Sequence, residues 1–347
     1  MTAGYQDYWA QDYVLPAMLS PTTPRELVAQ WARKPLDFKP GTAWQYSNTN
    51  YFAAGLIVEK ASGMGLMEFL ERRIFTPLRM TSVRNVDAAA LESSDAGGYL
   101  RNALGPLRPS PKAANGWLFA GGIRMTAHDL ALWDIAMINR TVLKPESYRE
   151  MVKEARLSNG NHTGYGLGVG LSSVDRRKRI AHDGAAAGYM SANAIYPDDR
   201  VAVVTFVNIY PGASDPEWDI SDALARIIFE DKKREEKHGG GGGSLKADTK
   251  TLNQIRQVFL ALQNGEIDRS LFTPNANAYF TTEALADSAS SLGPLGAPTE
   301  FRLTGLGLRG GMILSMYRGV CGGVALSISV ITLPDGKIEQ YLVARAR

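Results

Sequence analysis

The 347-residue sequence predicts an α+β protein. Three observations carry that expectation. Capped helical patterns come first, and three strand-like runs then follow one another between Arg179 and Asn208. A further capped helix closes this part of the chain. Helices grouped apart from a consecutive antiparallel meander point to α+β packing rather than to alternating βαβ units. The third observation is Gly239 to Gly243 followed by Ser244, behind the charged run Asp231-Lys232-Lys233-Arg234-Glu235-Glu236-Lys237. A Gly/Ser stretch of this kind is a flexible linker, natural or engineered. The expected organisation is therefore a unit at 1–238, a linker at 239–244 and a smaller unit at 245–347.

The elements follow from local chemistry. Thr23-Pro24-Arg25-Glu26 is a capping box with Pro at the first helical position, leading into Leu27, Val28 and Trp31 at helical spacing. A second helix is expected from Asn48 to Gly63, ended by the glycine. Thr126-Ala127-His128-Asp129 caps a helix with Leu130, Trp133 and Met137, and Ser214-Asp215-Pro216-Glu217 opens another with Trp218, Leu224, Ile227 and Ile228. Strands are expected at Arg179 to Asp183, Gly188 to Tyr196 and Val201 to Asn208, the last two joined by Pro197-Asp198-Asp199-Arg200. Tyr165-Gly166-Leu167-Gly168-Val169 reads as a further strand. Arg176-Arg177-Lys178-Arg179 reads as a solvated hairpin turn.

The second unit opens with a helix near Thr251 to Leu262 and a short one near Glu283. Strand-like runs follow at Phe301–Thr304, Ile313–Tyr317, Val324–Leu333 and Ile338–Ala344, with a hairpin turn at Pro334-Asp335-Gly336-Lys337. A helix followed by a curled antiparallel sheet resembles cystatin-like or NTF2-like small domains in element order.

Composition excludes several functions. Apolar content of 45% and charged content of 21% are those of a globular protein, and a net charge of +3 with scattered basic residues does not point to nucleic acid. No run reaches the roughly 18 apolar residues of a membrane helix. Cys321 is alone, so no intrachain disulfide forms and the compartment stays undecided. His128, His162 and His238 lack ligand spacing, so neither a metal nor another cofactor is expected. The glycine clusters lack the Gly-Lys-Ser/Thr of a phosphate loop.

The chemistry lies in two short segments. Tyr46-Ser47-Asn48 follows Phe38-Lys39-Pro40-Gly41 and precedes Tyr51-Phe52-Ala53-Ala54-Gly55-Leu56; far downstream come His182-Asp183-Gly184-Ala185 and Gly188-Tyr189-Met190-Ser191. These resemble the second and third catalytic signatures, and their flanks, of the class C β-lactamase-related serine hydrolases, within the β-lactamase and penicillin-binding-protein superfamily. Ala120-Gly121-Gly122-Ile123-Arg124-Met125-Thr126 and Tyr165-Gly166-Leu167-Gly168 resemble two of that family's structural segments. The resemblance covers roughly residues 2–230, and Thr2-Ala3-Gly4-Tyr5 looks like the tail of a segment that follows the nucleophile. It implies a partial serine β-lactamase-like fold, an antiparallel sheet with helices, to which the small C-terminal α+β domain read above is appended.

The resemblance also implies roles. Tyr46 would shuttle a proton, which a phenol of ordinary pKa near 10 does at neutral pH only beside a cation. Asn48 would hold the nucleophile's lysine and the substrate amide. His182 would stabilise the tyrosinate, Gly184 would let substrate approach the strand edge, and the Ala185 N–H would be an oxyanion donor. The first signature, Ser-x-x-Lys, does not occur: no serine in the 347 residues has Lys three positions on. Two functions follow as expectations. One is acyl-enzyme hydrolysis of an ester, a D-amino-acid amide or peptide, or a β-lactam, with the nucleophile on a complementary N-terminal segment. The other is a catalytically inactive binding or scaffolding homologue that keeps the pocket. Either way the partner is a small molecule or peptide. Core surface bared by the absent segment would be covered by that segment, by self-association or by loose packing. The location would be periplasmic or secreted if a full-length precursor carried a signal peptide.

Overall fold

The computed structural model describes residues 1–87, 95–210, 215–230 and 249–346. The expected linker, the charged run before it and the Ser214 cap lie outside the described residues. Helices α1 (Pro24–Trp31), α2 (Asn48–Ser62), α3 (Leu66–Leu70), α4 (Ala127–Asn139) and α5 (Pro145–Met151) precede the main sheet. Short strands β1 (Arg84–Asn85), β2 (Tyr99–Arg101), β3 (Leu107–Pro109) and β4 (Ile123–Arg124) lie between α3 and α4. The main sheet is β5 (Gly170–Val174), β6 (Arg177–Ala186), β7 (Tyr189–Tyr196) and β8 (Val201–Val207), antiparallel in that spatial order. Strand β9 (Ile209–Tyr210) leaves it to pair with β2, and α6 (Pro216–Glu230) follows.

Local signals set the helix ends. The Thr23 hydroxyl accepts from the Glu26 N–H while the Glu26 carboxylate accepts from the Thr23 N–H, so two orphan donors are satisfied reciprocally. Thr126 caps α4 by accepting from the Asp129 N–H. Helix α2 ends on Gly63 at φ 71°, a left-handed position that glycine adopts without a Cβ clash.

Two expectations are corrected. Tyr165–Val169 is a tight turn rather than a strand: Gly168 sits at φ 78°, the Gly166 N–H donates to the Val169 carbonyl, and Tyr165 bridges Gly170. The strand begins only at Gly170. The basic run is not a solvated turn either. The turn falls on Asp175 and Arg176, and Arg177 enters β6, pairing with Asp199 and lying 4.2 Å over the Phe229 ring.

The sheet is covered on both faces. On one, Ala194, Tyr196 and Val203 pack on Ala225 and Phe229 of α6; on the other, Ile180 and Ile195 pack on Met137 of α4 and Tyr148 of α5. Alternation along β6 and β7 puts His182 and its register partner Asn193 on the α4 face.

The C-terminal part comprises α7 (Thr249–Gln263), α8 (Pro274–Tyr279) and α9 (Thr282–Leu292), then β10 (Glu300–Arg309), β11 (Met312–Cys321), β12 (Val324–Thr332) and β13 (Ile338–Arg345) in one antiparallel sheet. Its core is Ile255, Phe259 and Leu262 of α7 against Tyr317, Leu326, Ile328 and Tyr341 of the sheet. The Pro334–Lys337 turn closes through the Leu333 N–H to the Lys337 carbonyl, with Gly336 at φ 87°. Polar contacts tie this part to the first. Arg108 of β3 reaches both oxygens of Asp287 at 2.7 and 2.8 Å, and the Tyr13 hydroxyl donates to the Glu339 carbonyl at 2.7 Å. Among the described residues no helix is long and apolar enough to cross a membrane.

Candidate active site

Tyr46 stands in the extended residues that feed α2, and His182 stands on β6. Their ring centroids are 6.1 Å apart. Both line a cleft of about 320 Å³ with Trp44, Tyr165, Asp183 and Trp218. Strand β5 pairs with β6 only as far as Ala181. On the β5 side β6 is therefore unpaired beyond Ala181, and His182 and Asp183, at the start of that edge, line the cleft, where an extended ligand can add by main-chain hydrogen bonds.

The histidine is fixed by two partners. Its Nδ1 lies 2.5 Å from the Asp183 carbonyl oxygen and its Nε2 lies 2.8 Å from the Tyr165 hydroxyl. A carbonyl only accepts, so Nδ1 carries the proton, and in the neutral ring Nε2 accepts from Tyr165. Tyr165 is in turn hydrogen-bonded to Tyr51, whose oxygen accepts from the Gly168 N–H. Tyr51, Tyr165 and His182 thus form one hydrogen-bonded chain, which no motif in the sequence announces. The only signal was the aromatic at the head of the Tyr165–Gly168 segment, and that segment reads as structural. The tight turn at Gly166–Gly168 aims Tyr165 at the histidine.

Electrostatics keep these phenols protonated. Burial, then the carboxylates of Asp7 and Asp183, push the Tyr46 hydroxyl well above its ordinary value, and the charge of Arg309 opposes them. Burial and the neighbouring Tyr51, Tyr46 and Asp183 push Tyr165 up as well. As it stands, Tyr46 is a proton donor in waiting and needs a further cation to act as a base.

Asn48 is engaged elsewhere. Its backbone N–H donates to Asp7 Oδ1 at 2.9 Å, and its side-chain Nδ2 donates to Asp7 Oδ2 at 3.2 Å and to the Trp9 carbonyl at 3.4 Å. Burial raises the Asp7 carboxyl to about 6 against these hydrogen bonds and the charge of Arg309. Asn48 thus braces the loop beside Tyr46, and it does not line the cleft. Gly184 has a packing reason for lacking a side chain: a Cβ there would stand 2.6 Å from the Ser191 hydroxyl on β7. Ala185, opposite Met190, is exposed. Among the described residues no group of three or more His, Cys, Asp or Glu side chains is arranged to hold a metal ion.

One further buried group sits behind the histidine strand. Asp134 of α4 is 0% exposed and accepts from Asn193 Nδ2 at 2.8 Å, and among the described residues its second oxygen and Asn193 Oδ1 have no hydrogen-bond partner. Burial raises this carboxyl to about 7.

Comparison with known proteins identifies the fold and the family. The Beta-lactamase family model matches residues 1–227. The D-aminopeptidase of Brucella anthropi is 25% identical over 217 residues, which is 61% of this chain and 41% of that protein. The chain thus spans about two fifths of the length of the curated relatives it matches. Among solved structures, the D-stereospecific amidohydrolase from Streptomyces sp. superposes with a TM-score of 0.55 at 24% identity, covering 63% of this chain and 69% of its own. The octameric penicillin-binding protein homologue from Pyrococcus abyssi covers 96% of this chain and 71% of its own, with a TM-score of 0.53 at 16% identity. The fold is that of the β-lactamase and penicillin-binding-protein superfamily, and with well over half of its length matched, the chain belongs to the Beta-lactamase family.

Proposed function

We propose that this chain carries the proton-handling half of a serine acyl-transfer site for amides or peptides of D-amino acids, and that residues outside this sequence supply the attacking serine and its lysine. The observation that carries the proposal is the convergence of Tyr46 and the Tyr165–His182 pair on one cleft beside the free edge of β6. The D-aminopeptidase relatives support an amide over an ester or a β-lactam. In the proposed reaction the serine oxygen loses its proton to Tyr46 as it bonds to the amide carbon. Tyr46 returns that proton to the departing amine as the C–N bond breaks, and water then releases the acid from the acyl-serine. His182, held in place by Tyr165, would stabilise negative charge on Tyr46.

Two surfaces support a seat for the missing residues. Strand β8 pairs, among the described residues, only with β7, so the valine-rich run Val201–Val207 has an open edge. Helix α6 beside it exposes Ile220, Leu224 and Ile227 at 44, 42 and 60%. An open apolar edge and an apolar helix face are surfaces that a further strand and helix would cover. With this goes a division at 1–238 and 245–347, supported by core clusters whose buried members do not cross it.

The test is intact-mass labelling by a fluorophosphonate, with and without an added polypeptide bearing Ser-x-x-Lys from a family member, alongside hydrolysis of D-alanine p-nitroanilide. The chain alone should take no label. The mixture should label the added serine and hydrolyse the anilide, and Tyr46→Phe should slow both by about 10²–10⁴-fold. A label on any serine of this chain, or indifference to Tyr46, would overturn the proposal. A second reading, binding without turnover, is favoured by the engagement of Asn48 with Asp7. Saturable binding of D-alanine amide with no hydrolysis in the mixture would decide for it.

A further inference from the structure

The turn between β10 and β11 belongs to the C-terminal part, yet it sits on the loops that hold Tyr46. Two carboxylates bracket that tyrosine. Asp7 holds Asn48 on one side, and Asp37 accepts from Gln45 Nε2 at 2.7 Å on the other. Gln45 is itself buried, 3% exposed. The turn Arg309-Gly310-Gly311-Met312 reaches both. A Cβ on Gly310 would stand 2.6 Å from Ala10 Cβ and 3.6 Å from Asp7 Cβ, and one on Gly311 would stand 2.6 Å from Asp37 Oδ1. Both glycines have positive φ, 59° and 73°, so backbone shape and close approach each call for glycine here.

Arg309 locks the turn in place. Its Nη1 donates to Asp12 Oδ1 at 2.6 Å, in an ion pair with side chains 29 and 11% exposed. The other Asp12 oxygen accepts from Gln340 Nε2 at 2.8 Å, and the Asp12 N–H donates to Gln340 Oε1 at 2.7 Å. Gln11 Nε2 adds a bond to Glu339 Oε1 at 2.7 Å. The segment from Asp7 to Tyr13 is therefore clasped along its length by β13 and the β10–β11 turn.

We propose that the β10–β11 turn backs the candidate site from behind the Tyr46 loops, with Arg309 as a positioning residue that, through its ion pair with Asp12, keeps Gly310 against Asp7 beside Asn48 and Gly311 against Asp37 beside Gln45. Tyr46, between those two residues, then keeps its place relative to His182. Arg309 also faces Asp7 and Tyr46 with positive charge, opposed by Asp12 and, on the cleft side, Asp183. The positioning stands without any nucleophile, whereas its value for catalysis rests on the function proposed above.

The test is amide hydrogen exchange by mass spectrometry on the full chain, read on peptides covering residues 44–50, in Arg309→Met, Arg309→Lys and Gly311→Ala. Exchange at this segment should quicken about tenfold or more in Arg309→Met, the order expected when a charge-assisted hydrogen bond is loosened. Arg309→Lys should restore most of the protection. Gly311→Ala, which leaves every charge in place, should quicken Gln45 and Tyr46 through its clash with Asp37. If Arg309→Met does not fold, the lysine and alanine variants still decide the matter. Unchanged exchange at 44–50, or equal acceleration across the whole chain with no rescue by lysine, would overturn the proposal. Because the readout needs no label and no substrate, it fails or succeeds separately from the hydrolase reading.

Discussion

Asp134→Asn should stabilise this protein, and increasingly so as pH rises. The wild-type carboxyl is fully buried on α4, and among the described residues it faces no cation and keeps a single partner, Asn193 Nδ2. Burial raises it from 3.8 to about 7. At about 1.4 kcal/mol per pH unit that rise corresponds to roughly 4 kcal/mol of destabilisation once the group is ionised in both states. The sign follows from proton counts. Between about pH 4 and 7 the folded form holds a proton that the unfolded chain has released, so stability falls as pH rises through that window and levels off above it. An asparagine stays neutral at every pH. Its amide can accept from Asn193 Nδ2 as the aspartate does, and it can donate towards Asn193 Oδ1, now without a partner. The assay is urea unfolding followed by tryptophan fluorescence for wild type and variant at about pH 5 and pH 8. The advantage of the variant should grow by about 2–3 kcal/mol between the two, and Asp7, titrating alike in both proteins, cancels in the difference. An advantage of the same size at both pH values, or a variant less stable at the higher one, would show that Asp134 is not the buried, cation-free acid described here.

Tyr165→Phe should leave the fold intact at a cost of about 1 kcal/mol in urea unfolding, while lowering any Tyr46-dependent hydrolysis by about 10²–10⁴-fold, because His182 loses the hydroxyl that holds its Nε2. Asp287→Asn should loosen the C-terminal part, read as faster limited proteolysis at neutral pH. Hydrogen bonds from Arg108 hold that carboxyl below its ordinary range, so this contribution is present at neutral pH and is lost as pH falls through the lowered value. In acid, wild type and variant should converge. Gly184→Ala meets only the end of the Ser191 side chain and should cost less than about 1 kcal/mol by thermal unfolding. Gly116→Ala, at φ 95° with the Thr22 carbonyl oxygen 2.0 Å from the added carbon, should cost several times more or fail to fold. Equal losses for the two would refute the geometric distinction.

What was legible in the sequence is what short-range chemistry decides. A capping box closes within four residues, so Thr23 and Glu26 announce α1 without help from the rest of the chain. Turn residues at Pro197–Arg200 and Pro334–Lys337 likewise mark the hairpins, because their backbone angles suit few other residues. Tyr46 and His182 stood out through the segments around them. Tertiary structure alone decided the groups whose meaning depends on a distant neighbour. Tyr165 joins the site because two glycines bend its strand-like segment into a turn, and Asn48 leaves the cleft because Asp7 captures it from 41 residues away. Asp134 looks like one more polar position on an amphipathic helix until burial without a cation makes it an acid held near neutrality. Gly310-Gly311 signals a hairpin turn and no more, and only packing places these glycines on Asp7 and Asp37. Hydrogen bonds and steric exclusion act over a few ångströms, so they are written in sequence only where the chain returns to itself within a few residues.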